Sequence, residues 1–263
     1  SWDIDGLSLH FYTGGAKGVL QSPSTDFGGD EYAGALKNTL RMEELVRTHS
    51  AIMDKYDPEK KVALFVDEWG IWLSPLKGTN FMFMRQQGSL RDAMIAALNL
   101  NIFARHADRV RMANIAQMAN VIHSLILTDG PSMLLTPTYH VHKMYLPFQD
   151  ATLIPVTYAG GSYTFGDVTL PQVDVIAARG KDGQVWLSLT NLDPERSASI
   201  SPQVAGMNPA TATGEVLTAA KVDAVNTFEA KSAVAPAPYR AESTGGKLVL
   251  QLAPKSITVV RLQ

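Results

Sequence analysis

The chain has 263 residues, 46% of them hydrophobic and 18% charged, so it can bury a substantial core, and its length predicts more than one domain. Its net charge of −2, without a cluster of lysines and arginines, argues against a nucleic-acid partner. The absence of cysteine excludes disulfides and thiolate chemistry, and no apolar run reaches the roughly 18 residues of a membrane span.

The first half of the chain alternates between strand patterns and helix patterns. In chain order, we predict strand 4–10, helix 33–56, strand 61–67, helix 89–106, strand 109–116 and helix 137–147. Ser89, with Asp92 three residues later, resembles a capping box that begins the helix 89–106. Alternation of this kind predicts a parallel sheet with helices outside it.

The predicted helix 33–56 carries the clearest periodic pattern. Its apolar stripe recurs at spacings of three and four and consists of Met42, Leu45, Val46, His49, Ile52, Met53 and Tyr56. We interpret His49, which lies on this stripe, as structural.

After residue 150 the pattern changes to short strands and turns. VDVIAARG and QVWLSLTN flank Lys181-Asp182-Gly183 as a predicted hairpin, and KLVLQL and SITVVRL flank Ala253-Pro254-Lys255 as another. We therefore divide the chain into residues 1–149 and a β-sandwich or jelly roll over residues 150–263.

The segment KKVALFVDEWGIWL joins a buried strand to a cluster of polar and aromatic side chains. The run from Val62 to Val66 predicts a strand covered on both faces, and we expect Asp67, Glu68, Trp69 and Trp72 in a turn at its carboxyl end. In a barrel of strands and helices, catalytic groups collect at that rim.

A carboxylate beside indole rings suits glycosidic chemistry, because the anion can attack a sugar carbon while the rings pack on its C–H face. Adjacent strand residues face opposite ways, so we interpret Asp67 as a structural hydrogen-bond acceptor and not a second catalytic acid. The alternative is an acid at a helix start with two core tryptophans.

Three strand–helix units cannot close a parallel barrel, which takes eight. Either the chain is the C-terminal part of a longer protein, or a second polypeptide supplies the rest. The exposed half-barrel favours self-association or capture of a partner.

Four ordered blocks carry a resemblance to a known family: DGLSLHFYT at 5–13, VDEWGIWL at 66–73, ANIAQMANVIHSLILTDG at 113–130 and LTPTYHVHKMY at 135–145. They resemble the α-L-arabinofuranosidases of glycoside hydrolase family 51. The resemblance implies a partial (β/α)8 TIM barrel, units six to eight, followed by a C-terminal jelly roll. It also implies a retaining exo-hydrolase that removes terminal arabinofuranosyl groups from arabinan or arabinoxylan oligosaccharides.

The resemblance assigns roles residue by residue. Glu68 matches the family's nucleophile, and His10 and Tyr12 match a His-x-Tyr pair whose alternate positions share one strand face. Gln117 matches a glutamine that contacts sugar hydroxyls. Trp72 would wall the arabinose subsite, with core packing as the rival interpretation, and Trp69 is the more structural of the two.

One catalytic group of the family has no counterpart in this sequence. The family's acid/base is the glutamate of an Asn-Glu pair, and the chain contains no such dipeptide. Our first hypothesis is therefore that this chain is half of an arabinofuranosidase, which is active only when the N-terminal half completes the barrel. The alternatives are a non-catalytic remnant that binds carbohydrate or a partner, and an endo-glucanase of the same family.

The resemblance implies no metal and no organic cofactor, because the chemistry is acid/base and nucleophilic. His140 and His142 would point about 200° apart on a helix, which makes them a poor metal pair. Homo-oligomers are common in the family, and bacterial members are often cytoplasmic. A periplasmic or secreted location remains open.

Overall fold

A computed structural model describes residues 3–263 and places strands and helices alternately in the first half of the chain. The elements are β1 (Gly6–Thr13), α1 (Gly29–Thr39), α2 (Arg41–Asp54), β2 (Ala63–Ile71), α3 (Leu90–Arg105), β3 (Val110–Ile115), β4 (Ile126–Asp129), β5 (Ser132–Leu135) and α4 (Pro137–Met144). No helix within the described range is long and apolar enough to cross a membrane.

The strands β1, β2 and β3 form a parallel sheet in that order, as the sequence predicts. β2 continues to Ile71, so Asp67, Glu68 and Trp69 lie within the strand. The expectation that they occupy a turn is wrong. The apolar run Val62–Val66 marks only the first part of β2, and the strand carries its polar residues along its second part.

The predicted helix 33–56 is two helices, α1 and α2, separated at Leu40. The hydroxyl of Thr39 donates to the carbonyl oxygen of Ala35 (2.9 Å), a bond that competes with the helical ladder and bends helices. In addition, the Asn38 side chain donates to the carbonyl of Gly15 (2.9 Å), which ties the end of α1 to the loop after β1.

The second half of the chain is all strand. Its elements are β6 (Thr152–Ile154), β7 (Ser162–Phe165), β8 (Val168–Pro171), β9 (Val173–Arg179), β10 (Val185–Asn191), β11 (Ala198–Ile200), β12 (Thr211–Leu217), β13 (Ala237–Glu242), β14 (Leu250–Leu252) and β15 (Ser256–Leu262). Six strands form one sheet in the order β13-β12-β15-β10-β9-β6, and β11 pairs with β14 separately.

The first predicted hairpin is confirmed, since β9 and β10 pair antiparallel across the turn. The second is wrong, because β14 pairs with β11 while β15 pairs with β10 and β12. The turn between them is held elsewhere: Asn191 donates to the carbonyl of Ala253 (2.9 Å), and the N–H of Lys255 donates to the carbonyl of Asp193 (2.8 Å). These bonds redirect the chain from one sheet to the other.

Both faces of the six-stranded sheet are covered, in agreement with the side-chain period of two. In β10, Leu187 and Leu189 join a core with Leu250 and Leu252 of β14, as in a β-sandwich. The opposite face packs on the first half of the chain through residues such as Trp186.

Helix α3 lies between the parallel sheet and the β half. Thirteen of its residues, from Leu90 to Phe103, are buried, which is the pattern of a helix covered on all sides. The Ser89–Asp92 capping box begins it, as predicted. The hydroxyl of Tyr145 donates to Asn101 of α3 (2.8 Å) and lies 2.5 Å from the hydroxyl of Ser188 in β10, so this buried contact joins the two halves.

Candidate active site

The candidate site lies where β1 and β2 run side by side. His10 pairs with Glu68 in the parallel register, and Tyr12 follows on the same face of β1 at the strand period of two. The three side chains lie together, since both Tyr12 and His10 contact the Glu68 carboxylate. Ser8, one further step back along that face, also belongs to the cluster.

Tyr12 is the strongest contact of the Glu68 carboxylate. Its hydroxyl donates to Glu68 Oε2 at 2.8 Å. Burial, together with the hydrogen bond to and the charge of Glu68, raises the pKa of Tyr12 to about 12. Tyr12 therefore stays protonated at neutral pH and presents a donor to the carboxylate, which keeps about half of its side-chain surface exposed (45%).

His10 lies between two carboxylates. Its Nε2 is 3.0 Å from Asp67 Oδ1, and its Nδ1 is 3.5 Å from Glu68 Oε2. Asp67 also accepts a hydrogen bond from the Ser8 hydroxyl (2.8 Å), so its interpretation as a hydrogen-bond acceptor agrees with the geometry.

Contrary to the prediction from the strand period, the Asp67 and Glu68 side chains do not face opposite ways, since both contact His10. The register explains this: from Ser8 to His10 the chain advances two residues, while the partner strand advances three, from Phe65 to Glu68. One extra residue in β2 is a β-bulge, and a bulge re-aims the side chains around it.

The two tryptophans of the motif have different surroundings. Trp69 is fully buried, stacked on His142 (5.9 Å between ring centroids) and edge-on to Phe103 (5.4 Å). Trp72 is half-buried and meets the Tyr12 ring edge-on at 5.1 Å. Trp69 thus packs in the core, while Trp72 borders the candidate site.

The carboxyl end of β2 is held by a buried histidine. His123 Nδ1 accepts from the backbone N–H of Ile71 (3.0 Å), and its Nε2 donates to the carbonyl of Asp92 (3.0 Å). Burial lowers the pKa of His123 to about 4, so the ring is neutral at pH 7. Gly70 (φ +154°) lies against it, and a Cβ there would be 3.1 Å from the ring.

Gln86 makes a second connection to this strand end. Its side chain accepts from the N–H of Leu73 (2.7 Å) and donates to the carbonyl of Ile71 (3.1 Å). Neither His123 nor Gln86 is among the site residues predicted from the sequence. No local pattern marks them, because both act on backbone groups far away in the chain.

Gln117 follows β3, the neighbour of β2, and its side chain is exposed. Its backbone N–H donates to the carbonyl of Ile122 (2.6 Å), and the peptide bond before it is cis. Across residues 3–263 its side chain makes no hydrogen bond, so its predicted contact with sugar stays a prediction.

Within the described part of the chain, no group of three or more His, Cys, Asp or Glu side chains could hold a metal ion. His140 and His142 lie on the helix α4, as predicted, and His142 donates to the carbonyl of Thr138 (3.1 Å). The described residues offer the chemistry of a carboxylate that accepts from the Tyr12 hydroxyl and has the His10 imidazole beside it.

Comparisons with known proteins identify the family of this chain. The family model described as "Alpha-L-arabinofuranosidase C-terminal domain" matches residues 67–256. An intracellular exo-alpha-L-arabinofuranosidase from Bacteroides ovatus is 41% identical over 262 residues, which are 99% of this chain and 51% of that protein. The chain spans about half the length of the relatives it matches.

Solved structures give the same result. The GH51 arabinofuranosidase from Xanthomonas axonopodis pv. citri is 49% identical and superposes with a TM-score of 0.96, covering 98% of this chain and 53% of that one. An α-L-arabinofuranosidase from Thermotoga maritima in complex with arabinose has a TM-score of 0.78 at 21% identity, covering 98% of this chain and 52% of that one. The second likeness shows the fold alone.

Proposed function

Because this chain belongs to the α-L-arabinofuranosidases of glycoside hydrolase family 51, and corresponds to their C-terminal half, we propose that it supplies the nucleophile of a retaining, exo-acting α-L-arabinofuranosidase. The observation that carries the proposal is the contact between Tyr12 and Glu68 (2.8 Å) on an exposed strand face. The carboxylate is oriented by a fixed donor, and its remaining surface is open to a substrate.

In this mechanism Glu68 attacks the anomeric carbon of a terminal arabinofuranosyl group and forms a glycosyl-enzyme, which water then hydrolyses. Tyr12 orients the carboxylate, and His10 approaches its same oxygen from 3.5 Å. Trp72, packed on Tyr12, would wall the sugar subsite, and Gln117 would contact sugar hydroxyls from the end of β3.

A retaining glycosidase needs a second carboxyl group about 5–5.5 Å from the nucleophile, to serve as acid and then base. Asp67 adjoins Glu68, but its Oδ1 is occupied by Ser8 and His10. We therefore place the acid/base on the barrel units that would precede β1, in agreement with the family pattern.

The surface beside β1 supports the proposal that further barrel units pack on this side of the sheet. A groove there is lined by Leu7 of β1, by Ile52 of α2 and by Tyr56 just after α2, and Tyr56 is 86% exposed. β1 is also an edge strand, with β2 as its one neighbour in the sheet. A preceding strand–helix unit would pair with this edge and cover the groove, which supports the proposal that the three-stranded sheet corresponds to units six to eight of a (β/α)8 barrel.

The test uses the complete enzyme, meaning this chain together with the barrel units that complete it. We expect hydrolysis of an aryl α-L-arabinofuranoside, with the first-formed arabinose retaining its α configuration by proton NMR. Glu68→Gln should lower kcat at least about 1,000-fold. The matched control is Glu215→Gln, on an exposed face of β12, which should leave kcat unchanged.

Each other outcome identifies a different function. A well-folded complete enzyme that retains arabinan on a column without turning it over would identify a carbohydrate-binding remnant. Cleavage of internal glucan bonds in place of the aryl arabinofuranoside would identify an endo-glucanase. An inverted product would overturn the retaining mechanism.

A further inference from the structure

Asp67 is the carboxylate of the site that the proposed mechanism leaves without a role. One of its oxygens accepts from the Ser8 hydroxyl at 2.8 Å and lies 3.0 Å from His10 Nε2. The opposite ring nitrogen, His10 Nδ1, lies 3.5 Å from Glu68 Oε2. The imidazole thus bridges two carboxylates that the bulge in β2 brings to the same side.

The two contacts restrict where the proton of His10 can lie. An ionised carboxylate only accepts hydrogen bonds, and a neutral imidazole carries one N–H. The contact with Asp67 is the shorter one, so in the neutral ring the proton belongs on Nε2. A proton reaches Nδ1, beside Glu68, only when the ring carries both protons and a positive charge.

Asp67 is itself held in place. Ser8 lies two residues before His10 on the same face of β1, so its hydroxyl fixes the carboxylate against the strand that carries the histidine. Ser8, Asp67, His10 and Glu68 therefore form one chain of contacts that ends at the proposed nucleophile.

We infer that Asp67 is a positioning residue that holds His10 in its Nε2-protonated form, with Nδ1 directed at Glu68. This inference rests on the proposed role of Glu68 as the nucleophile. Any hydrogen bond from His10 to Glu68 is then charge-assisted, because the ring can donate from Nδ1 only as a cation. Asp67 acts through His10 and does not touch the substrate.

The test compares Asp67→Asn with the native complete enzyme. The amide has the shape of the carboxylate but no charge. Its carbonyl oxygen can still accept from Nε2, but only as a neutral acceptor, and its NH2 group can donate to an unprotonated ring nitrogen, so the preference for the Nε2-protonated form is weakened. With nitrogen-15-labelled histidine, at a pH where the ring is neutral, we expect the native His10 Nε2 signal to be that of a protonated nitrogen. In Asp67→Asn it should move toward the unprotonated position as the other tautomer becomes populated.

The kinetic expectation is a fall in kcat of about 10- to 100-fold for Asp67→Asn, with KM for an aryl arabinofuranoside little changed. Ser8→Ala should lower kcat by less, since it removes one contact of Asp67 and leaves its charge. Asp167→Asn, in the exposed β7–β8 turn, is the control for loss of an acid and should keep the native kcat.

The outcomes separate this inference from the proposed function. If Glu68→Gln is inactive while Asp67→Asn keeps both the native tautomer and the native kcat, the positioning role is refuted and the nucleophile stands. If native His10 carries its neutral-ring proton on Nδ1, the inference fails whatever the kinetics. Activity in Glu68→Gln would overturn both.

Discussion

His123 should make the molecule sensitive to acid. The ring is buried, accepts from Ile71 and donates to the Asp92 carbonyl, and its pKa is lowered from 6.5 to about 4. In the unfolded chain the ring takes up a proton below about pH 6.5, whereas in the folded protein the same ring stays neutral until the pH falls to about 4. Stability from this group is therefore complete above pH 6.5 and is lost as the pH falls to 4.

The size of the effect follows from the shift. Each pKa unit corresponds to about 1.4 kcal/mol, so the difference between 6.5 and about 4 makes about 3 kcal/mol of unfolding free energy pH-dependent. Carboxylates also titrate in this range, so the histidine must be isolated by substitution. His123→Gln removes the titrating group. His49→Gln serves as its control, because the His49 side chain is exposed on α2 and its interpretation as a structural residue of the apolar stripe is wrong.

The assay is urea unfolding of the complete enzyme between pH 7 and pH 4, followed by tryptophan fluorescence. At pH 7 His123→Gln should be less stable than the native protein, because the bonds to Ile71 and Asp92 are lost. That gap should shrink by about 3 kcal/mol at pH 4. A gap that stays constant across the range, or an NMR titration of His123 near 6.5, would refute the reasoning.

Three further substitutions test separate parts of the account. Tyr12→Phe removes the donor to Glu68 and should lower kcat about 10- to 100-fold in steady-state assays, since a hydrogen bond to a charged group contributes about 1.5–3 kcal/mol; a native kcat would show that the contact is idle. Tyr145→Phe leaves the buried side chains of Asn101 in α3 and Ser188 in β10 without this hydrogen-bond partner. It should lower the free energy of unfolding in urea by about 1–3 kcal/mol, and an unchanged stability would contradict this prediction. Trp69→Ala should cost about 3–5 kcal/mol of stability, whereas Trp72→Ala should mainly raise KM; the reverse order would exchange their roles.

Much of the first half could be predicted because its signals are local. Alternating apolar runs located the three parallel strands, and the Ser89–Asp92 capping box located the start of α3. The period of two along β1 placed His10 and Tyr12 on the face that meets Glu68. These features depend on residues a few positions apart, which a sequence displays directly.

The errors arose where distant contacts decide the structure. The bulge at Asp67 comes from the pairing of β2 with β1, and no sequence pattern near Asp67 predicts an irregular register there. The redirected chain after β14 depends on Asn191, about 60 residues away, which binds the carbonyl of Ala253. The break before α2 had a local signal in Thr39, but whether such a hydroxyl bonds the preceding turn depends on packing.

The central claim is that Glu68 becomes covalently bonded to the sugar. The complete enzyme should be incubated with a fluorinated arabinofuranoside that carries a good leaving group, so that the glycosyl-enzyme accumulates, and then digested with trypsin. We predict one added sugar on the peptide 62–77, located at Glu68 by fragmentation, and no label in Glu68→Gln. A label on another residue, or rapid turnover with none on this peptide, would contradict the account.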